Sequence, residues 1–370
     1  MGIAFTLRKE GIKVIKELEK SQVEFIAKTV SDKLCSTFAD YCLSKSTIYE
    51  SILAVKMYVA NMEGNNSRAK YFSKNNSIYF NESMDISEMS NVAIHECIHI
   101  VQELKDEKGN TIRLGLDNLY KNGSALNEAA VQIMASEVLD MSTDNVKYFN
   151  IDFNTNSPDY YPLECALVKQ MAYFTSKYHL YHSALYSDDI FKNRFISITN
   201  EKTYNTIIEN LDNLVYLEDE LGFYTEALNY EEKLKNIKKL NLIIQNKKQE
   251  ISDLFFKTQN LIIKNCFIGE FENIITLENL QDFKNKLYNF KDILGTNENY
   301  SYYNDFYCDM MVAYENKYNY ILENGPINIF ETNTNALAVI SNTTKSISLI
   351  GRCIRKLSLM FFRKTSEINI

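Results

Sequence analysis

The stretch from Ala93 to Ile100 constrains this chain more than any other, because it places the pattern H-E-x-x-H within an apolar run, AIHECIHI. The apolar residues around the two histidines predict a buried helix. Side chains four residues apart lie on the same face of a helix, so His95 and His99 can bind one metal ion together. Glu96, which stands between them, can then hold and deprotonate a water molecule at that ion. The chain has only four histidines among 370 residues, and two of them are in this motif.

One polar stripe runs along the predicted helix. His95, His99 and Gln102 recur at i, i+4 and i+7, and Glu96 and Glu103 flank them. Buried polar groups are costly when they lack partners, and a metal ion would satisfy both imidazoles. The other sides of the helix are apolar and carry Ile94, Cys97, Ile98, Val101 and Leu104.

A catalytic zinc site normally has three protein ligands and one open position, so the motif predicts a third ligand elsewhere in the chain. His179 and His182 are candidates, but Glu128 is better placed. It stands near the start of a second predicted helix, where the small residues Ala129 and Ala130 would allow close packing on the first helix. Two imidazoles and a carboxylate favour zinc over other divalent cations.

The motif and the downstream segment Asn127-Glu128-Ala129 together resemble the gluzincin, or thermolysin-like, branch of the zincin metallopeptidases. The resemblance covers residues 78–136, about a sixth of the chain. It implies that His95, His99 and Glu128 bind zinc and that Glu96 is the general base for hydrolysis of a peptide bond. It also implies a small sheet whose edge strand, placed at 78–80, would hold an extended peptide by main-chain pairing.

The chain departs from the family pattern at two positions. Gln132 stands where the family has an aspartate that supports the first histidine, and a glutamine can accept that hydrogen bond without adding charge. The family also stabilises the oxyanion with a downstream histidine or tyrosine. We assign this role to His182, with Tyr181 and Tyr186 as rivals, although ordinary structural histidines are also common in such segments.

The pattern of apolar residues predicts a mostly α (α+β) fold. Helical spacing extends from residue 11 to about 61, and a strand is predicted at 77–81. The motif helix should end near Lys105, followed by a short strand at 111–116 and a helix at 125–139. Residues 150–162 look irregular, and helix resumes at about Leu163.

Three regions are predicted along the chain. Residues 1–200 would form a zincin-like domain with N-terminal helices, and residues 201–325 a charged helical region in which 234–263 could fold as an antiparallel hairpin. Residues 326–370 form a basic tail. The tail is interpreted as a surface helix or frayed end, or alternatively as an amphipathic contact for a membrane surface or a partner.

Charge and cysteine content narrow the class of protein. A net charge of −8 argues against nucleic acid as the main partner. Seven cysteines without a C-x-x-C pair indicate reduced thiols and a cytoplasmic protein, and no apolar run is long enough for a transmembrane span. The expected partner is a peptide or protein substrate. Two alternatives are a catalytically silent helical interaction protein with a structural or vestigial metal site, and a regulatory protease whose helical half selects one target.

Overall fold

The computed structural model describes Leu7 and residues 11–62, 68–119, 122–294 and 301–327. These residues are mostly helical, with three small sheets, which confirms the predicted α+β class. The chain divides into two compact units, residues 1–258 and 259–370. No helix in the described ranges is both long and apolar enough to cross a membrane.

A four-stranded sheet opens the first unit. Its order is β1-β2-β4-β3, with β2 and β4 parallel and the other neighbours antiparallel. The prediction of a strand at 77–81 is confirmed, but this strand is internal, so the predicted edge position at 78–80 is wrong. The edge strand beside it is β3. The strands are β1 (Ile12–Glu17), β2 (Lys56–Met62), β3 (Ala69–Phe72) and β4 (Ser77–Asn81).

Strands β1 and β2 occupy segments for which apolar spacing had predicted helix. Within β1 only Ile12 is buried, so the strand lacks the alternation of buried and exposed residues from which a strand could be predicted. The strand forms because it pairs antiparallel with β2, and β2 in turn pairs with β4. Pairing between segments more than forty residues apart in sequence therefore overrides the local helical pattern. Two of the predicted N-terminal helices are present, α1 (Lys20–Thr37) and α2 (Lys45–Leu53).

Helix α3 (Ile86–Gln102) contains the H-E-x-x-H motif. Asp85 caps its first turn, and Glu88 completes a capping box in which each side chain accepts a hydrogen bond from the other residue's backbone. The helix ends three residues before the predicted Lys105, because 103–105 form β5 (Glu103–Lys105) and pair with β6 (Thr111–Leu114).

The helix predicted at 125–139 is α4 (Ser124–Val138). The segment at 150–162, predicted to be irregular, instead begins with β8 (Ile151–Thr155), which pairs with β7 (Asp144–Tyr148) in a hairpin. Four helices complete the region up to residue 229. They are α5 (Pro162–Thr175), α6 (Lys177–Tyr186), α7 (Ile190–Ile198) and α8 (Glu201–Asn229).

Helix α8 packs against α4, α5 and α7, and the boundary predicted at residue 200 therefore lies inside the first unit. Its Asp212 accepts hydrogen bonds from the backbone N–H groups of Gly123 and Ala125, at 2.8 and 2.9 Å. Gly123 has no side chain with which to cap α4, so a carboxylate from α8 supplies this cap.

The next helix, α9 (Leu234–Glu272), is continuous through the segment for which a hairpin was predicted. That segment contains no glycine or proline to break it. The second unit contains the end of α9 with α10 (Leu277–Leu294) and α11 (Ser301–Asn324). Its core is aromatic and includes Phe267, Phe283, Phe290 and Phe306. The predicted tail lies outside the described residues from 328 onwards.

A buried pair of carboxyl groups joins α5 to α8. The Glu164 side chain is fully buried, and its carboxyl group lies beside that of Glu218, which Tyr148 approaches from β7. Burial raises the pKa of Glu164 from 4.5 to about 7, and burial together with the neighbouring Glu164 raises the pKa of Glu218. Two adjacent buried carboxyl groups cannot both ionise cheaply, so they share a proton near neutral pH.

This pair predicts a specific pH dependence of stability. Above about pH 4.5 the folded chain keeps a proton that the unfolded chain releases, so the free energy of unfolding falls as the pH rises towards 7. Glu164→Gln keeps the shape and donates an N–H to Glu218 without needing that proton. We expect the urea midpoint of this variant to exceed that of wild type at about pH 8, with little difference at about pH 5.

The control is Glu226→Gln, an exposed position on the same helix α8, which should follow wild type at both pH values. A lower midpoint for Glu164→Gln than for wild type at the alkaline pH would contradict the shared proton.

Candidate metal centre and cleft

Close packing of α4 on α3 creates the site. Ala129 and Ala130 of α4 are fully buried, as are Ala93 and Ile94 of α3. The contact between these two helices brings Glu128, the residue before Ala129, against the polar stripe of α3.

The two motif histidines and Glu128 converge on one point. The Nε2 atoms of His95 and His99 are 3.2 Å apart. Glu128 places Oε2 3.2 Å from His95 Nε2 and Oε1 3.5 Å from His99 Nε2. A tetrahedral site with bonds of about 2.0–2.2 Å has donor-to-donor edges of about 3.3–3.6 Å, and the separations of 3.2, 3.2 and 3.5 Å lie close to this range. Among the described residues, this is the group of histidine, cysteine and acidic side chains that could hold a metal ion.

Two glutamines orient the imidazoles. His95 Nδ1 lies 3.0 Å from Gln132 Oε1, and His99 Nδ1 lies 3.3 Å from Gln102 Oε1. When each Nδ1–H donates to an amide oxygen, each Nε2 lone pair is free to face a cation. Gln132 therefore contacts the first histidine, as expected from the sequence, and Gln102 contacts the second histidine in the same way.

Gln102 is itself held in a tight corner. Its Oε1 accepts a hydrogen bond from Asn127 Nδ2 at 3.3 Å, and Asn127 Oδ1 accepts one from the backbone N–H of Leu116 at 3.0 Å. Gly115 has a φ of +56°, and a Cβ there would lie 2.3 Å from Asn127 Oδ1 and 2.7 Å from Gln102. This position favours glycine, because the left-handed backbone is strained for other residues and a Cβ would displace the Asn127 and Gln102 side chains.

The site strongly favours positive charge. Burial opposes a charged imidazole, but the Glu128 carboxylate outweighs burial and raises the pKa of His99 from 6.5 to about 9. Burial likewise opposes the Glu128 carboxylate, and the two histidines nevertheless hold its pKa below the usual range. The negative potential that draws a proton to His99 would also attract a metal cation, and metal binding would displace that proton.

The three ligands open into a cavity of about 730 Å³ that also contains Glu96. The Glu96 carboxylate accepts a hydrogen bond of 2.7 Å from the backbone N–H of Tyr71 on strand β3. Strand β3 and α3 form parts of the cavity wall, and α8 adds Asp212, Val215, Tyr216 and Asp219. Sequence reasoning missed α8 as part of the site, because nothing in its local pattern marks the side that faces the cavity.

His182 is not at this site. It lies on α6, where its Nδ1 is 2.9 Å from Asp188 Oδ2 and its ring lies against Tyr186, and it does not line the cavity. The rival tyrosines are also elsewhere. Tyr181 donates its hydroxyl to Glu137 at 2.6 Å, and the Tyr186 hydroxyl donates to the carbonyl oxygen of Tyr41. The role assigned to His182 therefore finds no support in its position.

Tyr160 and Tyr161 line the cavity instead, and sequence reasoning missed both. Burial raises the pKa of Tyr161 and so do the nearby charges of Glu128 and Glu96, which means that its hydroxyl stays protonated beside the site. Tyr161 precedes Pro162 at the start of α5 and has a left-handed φ of 50°. The Tyr-Tyr-Pro sequence marks a helix start, but only the fold directs it to the cavity.

Comparison of the chain with protein-family models, with curated proteins and with solved structures gives no match. A functional conclusion therefore depends on the geometry of the chain's own residues.

The two orienting glutamines give a prediction for metal affinity. Gln132→Ala and Gln102→Ala each leave one imidazole without its acceptor, and we expect each to weaken zinc binding by about 10–100-fold. Competition with a chromophoric chelator measures this affinity. Cys97→Ala is the matched control, because Cys97 lies in the motif and is fully buried but does not belong to the group that could hold a metal ion. Unchanged affinity in both glutamine variants would contradict an orienting role.

Proposed function

We propose that this chain is a zinc-dependent peptidase in which Glu96 is the general base. One observation carries the proposal: His95, His99 and Glu128 converge at zinc-ligand spacing beside an open cavity that also contains Glu96. A purely structural zinc site is usually closed by four protein ligands. Here three ligands border a cavity of about 730 Å³, which favours a catalytic role over a vestigial or structural one.

A bound zinc ion would supply Lewis acidity, lowering the pKa of a water molecule and polarising a carbonyl group. The residues of the chain perform the remaining tasks. Glu96 accepts the proton of the attacking water and delivers it to the departing nitrogen. Tyr161, whose hydroxyl stays protonated beside Glu96 and Glu128, donates a hydrogen bond to the oxyanion that develops on the carbonyl oxygen.

The shape of the cleft favours an extended peptide as the substrate. Strand β3 is the edge of its sheet and lines the cavity through Ala69, Lys70 and Tyr71, and Arg68 lines it just before the strand begins. An edge strand can pair with an extended chain through its main-chain groups. Helix α8 lies along the same cavity and supplies both acidic and aromatic side chains. We further propose a cytoplasmic location, because the six described cysteines are free thiols.

The general-base assignment is tested by Glu96→Gln. This variant keeps the shape of the side chain but cannot accept a proton, so we expect zinc content to stay at the wild-type level while hydrolysis falls by about 10²–10⁴-fold. Elemental analysis and cleavage of a peptide library by mass spectrometry measure the two properties. Equal inactivity of wild type and Glu96→Gln, with zinc bound in both, would sink the peptidase proposal and favour a binding protein.

Tyr161→Phe tests the oxyanion assignment. Loss of the hydroxyl should lower kcat by about 10²-fold with little change in KM, because the hydrogen bond strengthens as charge develops in the transition state. His182→Ala is the matched control and should retain wild-type kcat, since His182 does not line the cavity. The opposite result, a defect in His182→Ala alone, would return the role to His182.

A further inference from the structure

The main-chain groups on the two sides of strand β3 have different hydrogen-bond partners. Its pairing with β4 aligns Ala69 with Phe80, Lys70 with Tyr79 and Tyr71 with Ile78. Asn81 donates its backbone N–H to the carbonyl oxygen of Arg68 at 2.9 Å, which makes residues 68, 70 and 72 the ones that bond to β4. Main-chain groups alternate along a strand, so those of Ala69 and Tyr71 point away from β4, on the side of the cavity that both residues line.

Tyr71 bonds to α3 through its main chain and approaches the start of β5 through its side chain. Its backbone N–H donates to Glu96 Oε2 at 2.7 Å, and its hydroxyl lies 3.1 Å from Asn76 Oδ1 and 3.3 Å from Glu103 Oε2. Glu96 is on α3, and Glu103 is the residue that directly follows this helix. Tyr71 therefore connects the edge strand to the helix that carries the motif and to the strand that follows it.

The far end of this connection is itself well anchored. The Glu103 side chain is only 3% exposed. It accepts a hydrogen bond from the Thr111 hydroxyl and forms an ion pair with Lys105 at 2.8 Å. Burial and the Glu103 charge together raise the pKa of Tyr71, so its hydroxyl remains protonated and able to donate. The ring of Tyr71 is thereby held, and its backbone N–H with it.

We propose that Tyr71 is a positioning residue for Glu96: its main-chain N–H holds one carboxylate oxygen, leaving the other directed at the attacking water. This inference rests on the proposed peptidase function. Glu96 Oε2 is restrained by the backbone N–H of Tyr71, and Tyr71 belongs to the edge strand that borders the cavity. Ala69 is then the residue of β3 that keeps both its N–H and its carbonyl oxygen for an extended substrate, so the substrate and the general base use adjacent outward-facing residues of one strand.

The hydrogen bond can be measured without any assay of activity. We expect amide hydrogen exchange of Tyr71 to accelerate by more than about 10-fold in Glu96→Ala, which removes the acceptor, while that of Ala69 changes by less than about 2-fold. Exchange resolved to single amides by mass spectrometry or by ¹⁵N-tyrosine labelling provides the readout. Unchanged exchange at Tyr71 in Glu96→Ala would overturn the proposal, whether or not the protein proves to be a peptidase.

Measurement of kcat and KM with a peptide from the library that the protein cleaves distinguishes positioning of Glu96 by Tyr71 from binding of substrate by Tyr71. Tyr71→Pro removes the N–H from the side of β3 that does not bond to β4, where proline is tolerated in an edge strand. We expect its kcat to fall by about 30-fold with KM within about 3-fold of wild type, because the misplaced group is the base. Tyr71→Phe keeps the N–H and loses only the hydroxyl contact, so its kcat should fall by less than that of Tyr71→Pro.

Ala69→Pro is the matched proline control, because Ala69 lies two residues before Tyr71 and its main-chain groups also point away from β4. It should raise KM with little change in kcat, since the N–H that it removes faces the substrate and not Glu96. A rise in KM without a fall in kcat for Tyr71→Pro would show that the Tyr71 amide binds substrate and would overturn its positioning role. Zinc content and thermal unfolding test whether each variant is folded. If Tyr71→Pro does not fold, the exchange experiment with Glu96→Ala tests the positioning role of Tyr71 without it.

Discussion

The contact between helices α3 and α4 is the constraint on which the rest of the site depends. The two imidazoles are fixed by one helix, but a cation needs a third ligand from another element. Packing of α4 on α3 lets Glu128 reach both rings, at 3.2 and 3.5 Å.

The surroundings of the three ligands come from segments far apart in sequence. Strand β3 supplies the amide that holds Glu96, and the start of α5 supplies Tyr161. Helix α8 forms a wall of the cavity and also caps α4 through Asp212, so a residue more than eighty positions downstream supports the helix that carries Glu128. The Glu164 and Glu218 pair also joins α5 to α8. The cleft is therefore a product of the whole first unit.

Local chemistry explains which predictions succeeded. The motif helix has a local capping box, and the helix of Glu128 and the strand at 77–81 are largely apolar; all three are present. Strand β1 was missed because only one of its six residues is buried, and it exists through pairing with β2. His182 was chosen because histidines are scarce, yet its ring packs against Tyr186 beside Asp188. Scarcity of a residue type says nothing about where its helix lies.

The sequence by itself determined the chemistry of the donor set: His95 and His99 on one helical face, Glu96 between them, and Glu128 on a helix with small neighbours. These features follow from helix periodicity and residue type, which are local properties. Only the tertiary structure decided which strand borders the cleft, that Tyr161 and α8 line it, and that Tyr71 holds Glu96. Those relations depend on strand order and helix packing between distant segments, and no local pattern encodes the direction in which such segments meet.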